Sequence, residues 1–186
     1  IDLNLEDFVA KVNSDLVGKF INIPSRTSGF VFKYFQNKLI PINDIADGKA
    51  RELISNAIGM RVSVTEHYEA RMYSKLIKLV MNHVETLNEF ISSKEPWVLA
   101  KIEEQHRVNS ELHQVCSTCL HTFRILSIYL TPILPELSSR IADFFNESAY
   151  DSFSSIEVGV VKINKFEHLM QRLDSIDIEA MVSSNK

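Results

Sequence analysis

The sequence predicts an all-α protein, an antiparallel helical bundle that folds as a single domain over residues 1–186. Apolar residues recur at intervals of three and four along most of the chain, which is the period of one face of an α-helix. Glycine and proline are scarce, with five of each, and this composition disfavours a turn-rich all-β fold. Hydrophobic types make up 45% of the chain, enough for one sizeable core at this length.

The first helical region consists of two apolar stripes that a proline separates. Apolar residues at helical spacing run through residues 5–20, and the same spacing resumes through 30–35. Asn4 is a suitable N-cap for the first helix. Because Pro24 lacks the N–H that would bond to the carbonyl of Phe20, we expect a kink or break there.

Further helices follow from the same periodicity. The expected spans are 44–66, 67–92, 109–130 and a helix that begins around the prolines at 132 and 135 and ends near residue 145. On the 67–92 helix the expected buried residues are Met72, Leu76, Leu79, Val80, Val84 and Leu87. On the 109–130 helix they are Leu112, Cys116, Cys119, Leu120, Phe123 and Leu130. Residues 146–161 are expected to be irregular, and 166–173 to form a short last helix.

Charge is distributed unevenly along the chain. The sequence has 20 basic and 24 acidic residues and a formal net charge of −4, which argues against binding nucleic acid through bulk charge. Residues 16–40, the acid-free segment, form the only clearly basic part of the sequence. Its four bases are Lys19, Arg26, Lys33 and Lys38. A local basic face is therefore compatible with an acidic chain.

Cysteine content and the N-terminus bear on compartment and completeness. Two cysteines do not form a disulfide framework, so a reducing, cytoplasmic compartment is expected. The first residues are acidic where a secretory signal would be basic, and the most apolar stretch, 123–137, contains an arginine and two prolines. Since the chain does not start with methionine, we expect it to be part of a longer polypeptide whose other part carries the chemistry.

One string of potential zinc ligands consists of His113, Cys116, Cys119 and His121. On a regular helix, with about 100° per residue, Cys119 and His121 point in nearly opposite directions. The four side chains therefore cannot converge on one ion, and the cysteines lie on the apolar stripe of the helix as small hydrophobes. Core packing is the preferred interpretation, and zinc binding through Cys116 and Cys119 is the alternative.

No catalytic constellation is recognisable in the sequence. His67, His83, His106 and His168 are scattered, and no serine or cysteine nucleophile lies in a known motif. The five glycines stand apart and form no phosphate-binding loop. We therefore expect no catalytic residue, metal site or cofactor site in this chain.

The acid-free segment carries side chains suited to single-stranded nucleic acid. Asn22, Arg26 and Lys33 share one side of a helical backbone, and amide and guanidinium groups can hydrogen bond with base edges. Lysines can hold phosphates as point charges. Trp97, the only tryptophan, follows Pro96 at the start of a helical stretch and could stack on an unpaired base. Spacing alone leaves two alternatives, an ordinary solvated face and a core tryptophan.

Three stretches of the sequence occur in a characteristic order. They are Leu3-Asn4-Leu5-Glu6-Asp7-Phe8-Val9 followed by Asn22-x-x-Ser25-Arg26, then Glu95-Pro96-Trp97-Val98-Leu99-Ala100-Lys101, and then Tyr129-Leu130-x-Pro132-Ile133-Leu134-Pro135. Together they resemble the anticodon-binding domain of methionyl-tRNA synthetases, and the similarity runs over nearly the whole chain. Related synthetases for other aliphatic amino acids share the bundle, but the Pro-Trp and Asn-x-x-x-Arg pairing points to methionine.

The resemblance implies a class I synthetase bundle that reads the CAU anticodon of methionine tRNA. In that family, the residues matching Asn22, Arg26 and Trp97 engage the first anticodon base, a cytosine. Trp97 is expected to stack on this base with support from Pro96, while Asn22 and Arg26 address its hydrogen-bonding edge. Lys33 is expected near the anticodon backbone or the next base.

The resemblance also implies what the rest of the polypeptide does. A catalytic nucleotide-binding domain, which uses ATP and has a zinc-bearing insertion, is not found in this sequence, so we expect the chain alone neither to activate methionine nor to charge tRNA. The expected partners are the methionine tRNA anticodon loop and the catalytic domain of the same polypeptide, with no membrane or DNA partner. Residues 146–186 are expected to be an irregular extension that packs toward the catalytic domain.

Two positions depart from the family's pattern. Pro24 falls between Asn22 and Arg26, where a helix-compatible residue is common, so a sharp kink there would change their relative reach. Gly18 stands one turn before Asn22, where some members have asparagine, so any contact from that side chain is absent. The alternative function is a helical protein–protein interaction module, which predicts a contiguous exposed apolar patch.

Overall fold

The computed structural model describes residues 4–157, 159–167 and 169–174, and over these residues the fold is an all-α helical bundle. Its helices are α1 (Leu5–Lys11), α2 (Asn22–Tyr34), α3 (Gly48–Gly59), α4 (Arg61–Glu69), α5 (Tyr73–Lys94), α6 (Pro96–Leu99), α7 (Glu111–Leu130) and α8 (Pro135–Phe144). A π-helical segment, Val12–Phe20, joins α1 to α2, and short 3-10 turns occur at Ile42–Asp44, Glu103–His106 and Phe153–Glu157. The fold class predicted from the sequence is confirmed.

Helix α7 lies at the centre of the bundle and packs against α2, α3, α5 and α8. Nearly all of its side chains are buried, as expected for a helix surrounded by others. All six residues predicted to be buried on this helix are buried. Within the described part of the chain, no helix combines the length and apolarity needed to cross a membrane.

The first helical region breaks earlier than the sequence predicts. Asn4 caps α1 as expected, and its side-chain oxygen accepts hydrogen bonds from two backbone N–H groups of the first turn. The break comes at Ile21, where the π-helical segment ends with the Ile21 N–H bonded to the carbonyl of Leu16 at 2.9 Å. Pro24 lies in the first turn of α2, where its missing N–H leaves no intrahelical bond unmade.

The helix expected over 44–66 is two helices in the structure. It starts late because Asp47 acts as the N-cap of α3 and accepts from a first-turn N–H at 3.0 Å. It is interrupted at Met60, after which α4 begins. Gly59 lies at this junction, and glycine is a poor helix former.

The helix expected over 67–92 also has different ends, running as α5 from Tyr73 to Lys94. Met72 was expected to be buried, but it is 42% exposed because it precedes the helix. The remaining expected residues face the core, fully or in part: Leu76, Leu79, Val80, Val84 and Leu87.

The short last helix expected over 166–173 does not form in the described residues of this range, 166–167 and 169–173. Backbone groups of this segment bond to other parts of the bundle: the Asn13 amide pairs with the N–H and carbonyl of Leu173 at 2.7 and 2.8 Å, and Arg140 donates to the carbonyl of Leu169. These tertiary bonds replace intrahelical ones. The expectations that involve Leu3, His168 and residues 175–186 lie outside the described residues.

Candidate nucleic-acid interface

Trp97 lies at the surface, just after the junction between two helices. Helix α5 ends at Lys94, Glu95 adopts a left-handed conformation with φ of 44°, and Pro96 opens the four-residue helix α6. The proline is buried and its fixed φ suits a first helical position. Trp97 is 36% exposed, so the alternative of a core tryptophan is wrong.

Arg26 lies against the exposed indole of Trp97. The guanidinium carbon is 4.7 Å from the ring centroid, within the range of a cation–π contact worth about 0.5–2 kcal/mol. Among the described residues, no carboxylate lies within ion-pair distance of Arg26. The guanidinium therefore keeps hydrogen-bond donors that a ligand can use, since a ring face accepts none of them directionally.

Asn22 lies one turn before Arg26 on α2, on the same face of the helix. The backbone is helical from Asn22 through Tyr34, so Pro24 does not separate the two side chains. Asn22 is half-buried, and no described side chain or backbone group hydrogen bonds with its amide. The structure thus places Arg26 against Trp97, with Asn22 one turn before Arg26 on α2 and the buried Pro96 directly before Trp97 in the chain.

Lys33 stands apart from this group. It follows Arg26 by seven residues, a rise of about 10 Å along α2. Its ammonium nitrogen is 4.9 Å from the ring centroid of Tyr34, and Tyr34 in turn stacks on His106 with ring centroids 3.8 Å apart. Lys33 therefore lies about two turns beyond Arg26 on α2, and its contact is with Tyr34 rather than with Trp97.

One of the four bases of the acid-free segment is paired with acids in the structure. Lys19 pairs with Glu85 at 2.6 Å and with Asp15 at 3.5 Å. The hydrogen bond to Glu85 raises the pKa of Lys19 above its ordinary value. Within the described residues, the other three bases of the segment have no acidic partner, and these are Arg26, Lys33 and Lys38.

The local backbone explains why a glycine lies at position 18. A Cβ atom at this position would lie 3.1 Å from the carbonyl oxygen of Asn13, which is tighter than nearly all such contacts. The wide turn of the π-helical segment brings residues five apart together. A larger side chain here would require the segment to shift.

The histidine–cysteine string of α7 belongs to the core, as predicted. Cys116 and Cys119 are buried free thiols, and burial raises the pKa of both. His113 and His121 each direct Nε2 to a backbone carbonyl, at 2.9 and 2.8 Å. In the part of the chain that the structure describes, no group of three or more His, Cys, Asp or Glu residues could hold a metal ion.

Tyr34 and His106 were not identified from the sequence as part of this surface. They are 72 positions apart, and their rings stack almost in parallel, at 8°. His106 had been one of several scattered histidines. No local pattern signals such a pair, because it exists only when the turn after α6 folds back on α2.

Comparison with known proteins finds relatives along the whole chain. A methionine–tRNA ligase of Thiobacillus denitrificans is 43% identical over 188 residues, which cover all of this chain and 26% of that protein. A methionine–tRNA ligase of Neisseria meningitidis serogroup A is 39% identical over 187 residues, with the same coverage. Over its whole length, the chain matches one region of methionyl-tRNA synthetases. It spans about a quarter of the length of these relatives.

Solved methionyl-tRNA synthetases share the fold. The free-state enzyme of Mycobacterium tuberculosis matches with a TM-score of 0.82 over 92% of this chain and 35% of that chain, at 20% identity. The enzyme of the same organism in complex with methionyl-adenylate matches with a TM-score of 0.78 over 88% of this chain and 33% of that chain. No protein-family model matches the chain.

Proposed function

We propose that this chain recognises the CAU anticodon of methionine tRNA as part of a methionine–tRNA ligase. The observation that carries the proposal is the Arg26 guanidinium on the exposed indole of Trp97, with Asn22 one turn away. An aromatic face, a fork of donors and an amide are the groups that hold and read a base splayed out of a loop.

The three side chains match the chemistry of a cytosine. Trp97 stacks on the base through the part of its ring that remains exposed, with the buried Pro96 fixing its position. Cytosine presents an amino donor beside a ring nitrogen and a carbonyl that both accept. Arg26 donates to the acceptors, and the Asn22 amide oxygen accepts from the amino group. Uracil has a carbonyl in place of that amino group and therefore loses the contact.

The distribution of charge on the chain supports RNA binding at this face. Lys33 and Lys38 follow Arg26 along the chain and have no acidic partner among the described residues, so they are available to phosphates. The acids that outnumber bases elsewhere repel the phosphate backbone from other faces.

In this proposal, the rest of a ligase polypeptide supplies the cytoplasmic, ATP-dependent activation of methionine, and this chain contributes no catalytic residue, metal ligand or cofactor site. An apolar groove of about 420 Å³ suits a contact with that catalytic part. Its apolar lining is Leu16, Ile133, Leu134, Pro135, Leu137, Leu169 and Met170. The groove is also the observation that favours the second candidate, a protein–protein interaction module.

A fluorescence titration tests the proposal directly, because Trp97 is the only tryptophan. The 186-residue chain is titrated at low salt with a stem-loop carrying CAU and with the same stem-loop carrying UAU. We expect the emission of Trp97 to be quenched at lower concentrations of the CAU stem-loop, because stacking and edge contacts both favour it.

Two outcomes would contradict the proposal. Equal responses to both stem-loops would remove the base-reading role, and no response to either would remove RNA binding at Trp97. An interaction module instead predicts that charge reversal by Arg26→Glu leaves binding to its protein partner unchanged.

A further inference from the structure

The turn that follows Trp97 is attached to α2 through one pair of rings. Tyr34, the last residue of α2, stacks on His106 with centroids 3.8 Å apart and planes 8° from parallel. His106 lies in the 3-10 turn Glu103–His106, which comes shortly after α6. The stack thus joins the helix that carries Arg26 to the segment that carries Trp97.

The same histidine is bonded back to the end of α6. Its Nε2 lies 2.9 Å from the carbonyl oxygen of Ala100, the residue that directly follows Leu99. Because a carbonyl can only accept, Nε2 carries the proton and donates it. The ring face of His106 therefore contacts Tyr34 of α2, and its Nε2 contacts the residue after α6.

Helix α6 needs such support because it has only four residues. A helix this short is not stable by itself, and the loop from Ala100 to Ser110 could otherwise move as a unit. The far end of that loop is anchored to α7: the Ser110 hydroxyl donates to the Gln105 carbonyl at 2.6 Å, and the Gln105 side chain accepts from the Leu112 N–H at 3.2 Å. His106, the next residue, connects the middle of the loop to α2 through Tyr34 and to the near end of the loop through the carbonyl of Ala100.

We propose that Tyr34 and His106 are positioning residues for the Arg26–Trp97 site. By fixing the turn after α6 against α2, they hold the indole at the distance where Arg26 covers it, so that the site is formed before RNA arrives. This inference rests on the proposed function for its effect on RNA, while its effect on Trp97 concerns the free protein. Neither residue needs to touch the RNA.

Two arms of one experiment test the proposal. In the free 186-residue chain, quenching of Trp97 by acrylamide reports how freely the indole moves and is exposed. In the second arm, affinities for the CAU and UAU stem-loops are measured. The variants are His106→Ala, which removes both contacts, His106→Phe, which retains a ring but not the donor, and Tyr34→Phe, which retains the ring. His67→Ala on α4 is the matched control.

We expect His106→Ala to increase acrylamide quenching and to weaken CAU binding roughly tenfold, with UAU binding almost unchanged, so that discrimination falls. His106→Phe is expected to restore part of both properties, and Tyr34→Phe and His67→Ala to match the unmodified chain. Partial rescue by phenylalanine separates positioning from a general loss of folding, which circular dichroism monitors in parallel.

Other results would overturn the inference. Unchanged quenching and unchanged discrimination in His106→Ala would mean that the ring pair positions nothing. Equal weakening for both stem-loops, with quenching unchanged, would mean that His106 contacts RNA directly. If the unmodified chain fails to distinguish the stem-loops, the proposed function fails, and the quenching arm still decides whether His106 positions Trp97.

Discussion

Arg26 and Arg124 both lie over aromatic rings, but only Arg124 is neutralised. Arg124 is 1% exposed, and its guanidinium donates to both carboxylate oxygens of Glu147 at 2.6 Å and to the Ser155 carbonyl at 2.7 Å. The guanidinium carbon is 5.6 Å from the centroid of the Tyr150 ring. Arg26 is half-buried, with Trp97 as its neighbour and no acidic partner among the described residues. The first arrangement satisfies a charge, whereas the second leaves donors available.

The difference separates a structural region from the region that we propose binds RNA. Around Arg124, α7 is joined to the chain that follows α8, because the guanidinium donates to Glu147 and to the carbonyl of Ser155. Around Arg26, a charge and an aromatic ring lie against each other at the surface, and no described carboxylate pairs with the charge. Proteins pair buried charges because an unpaired one is costly, so an arginine held on a ring without an acid suggests a ligand.

The largest expected effect is on the free energy of unfolding, in the structural region around Arg124. Arg124→Ala leaves Glu147 without its partner in a largely buried site, and we expect the free energy of unfolding to fall by about 3–5 kcal/mol. Urea unfolding followed by circular dichroism measures it. The matched change Arg26→Ala is expected to cost about 1 kcal/mol or less. Similar losses in the two variants would break the comparison.

On the binding side, Trp97→Ala is expected to weaken binding of the CAU stem-loop by roughly 1–3 kcal/mol, because a stacking face is lost. Its stability should change little, since the ring is at the surface. Anisotropy of a labelled stem-loop measures the affinity. A variant that stays folded by circular dichroism and binds the CAU stem-loop normally would show that the indole is not a base platform.

The free energy of unfolding is expected to depend on pH through His121, which lies on α7 with Arg124. Burial lowers the pKa of His121 to about 4 from an ordinary 6.5, so the unfolded chain binds this proton more readily. The stabilisation is present above pH 6.5 and is lost as the pH falls toward 4. We expect a loss of about 1 kcal/mol between pH 7 and pH 5.5 from this group.

The matched variant for this prediction is His121→Gln, whose amide can still donate to the carbonyl of Ile40 without titrating. Urea unfolding at the two pH values should show a smaller pH dependence in the variant. His83 and His113, whose pKa values burial also lowers, should maintain part of the slope. An identical slope in the variant would contradict the assignment to His121.

The smallest expected effect concerns the contrast between lysines with and without an acidic partner. Lys33→Ala is expected to reduce the dependence of log K on log salt by roughly one, as for one lost phosphate contact. Lys19→Ala, which removes a lysine already paired with Glu85, is expected to leave this slope unchanged. Salt titrations of stem-loop binding decide it, and equal slopes for the two variants would refute the distinction.

Local signals predicted the parts of the fold that local chemistry decides. The α7 core residues and the Asn4 cap follow from periodicity and a short polar side chain, and both were correct. The helix expected over 166–173 failed because its backbone bonds to distant groups such as Asn13, which no local pattern reveals. For the same reason the pairing of Lys19 with Glu85 and the stacking of Tyr34 on His106 were missed.

For the site, the residues came from the resemblance to a family, and the structure supplied their arrangement. Spacing placed Asn22 and Arg26 on one face of a helix, and α2 retains that relation despite Pro24. Spacing could not place Trp97 beside them, because α6 meets α2 only in the folded bundle.

The most direct test of the central claim is the preference for CAU over UAU stem-loops, compared between the unmodified chain and Arg26→Ala. Arg172→Ala, which removes an exposed arginine beside α1, is the matched control. We predict that the unmodified chain and the control prefer CAU and that Arg26→Ala loses most of this preference. A preference that survives Arg26→Ala, or that is absent from the unmodified chain, would contradict the account.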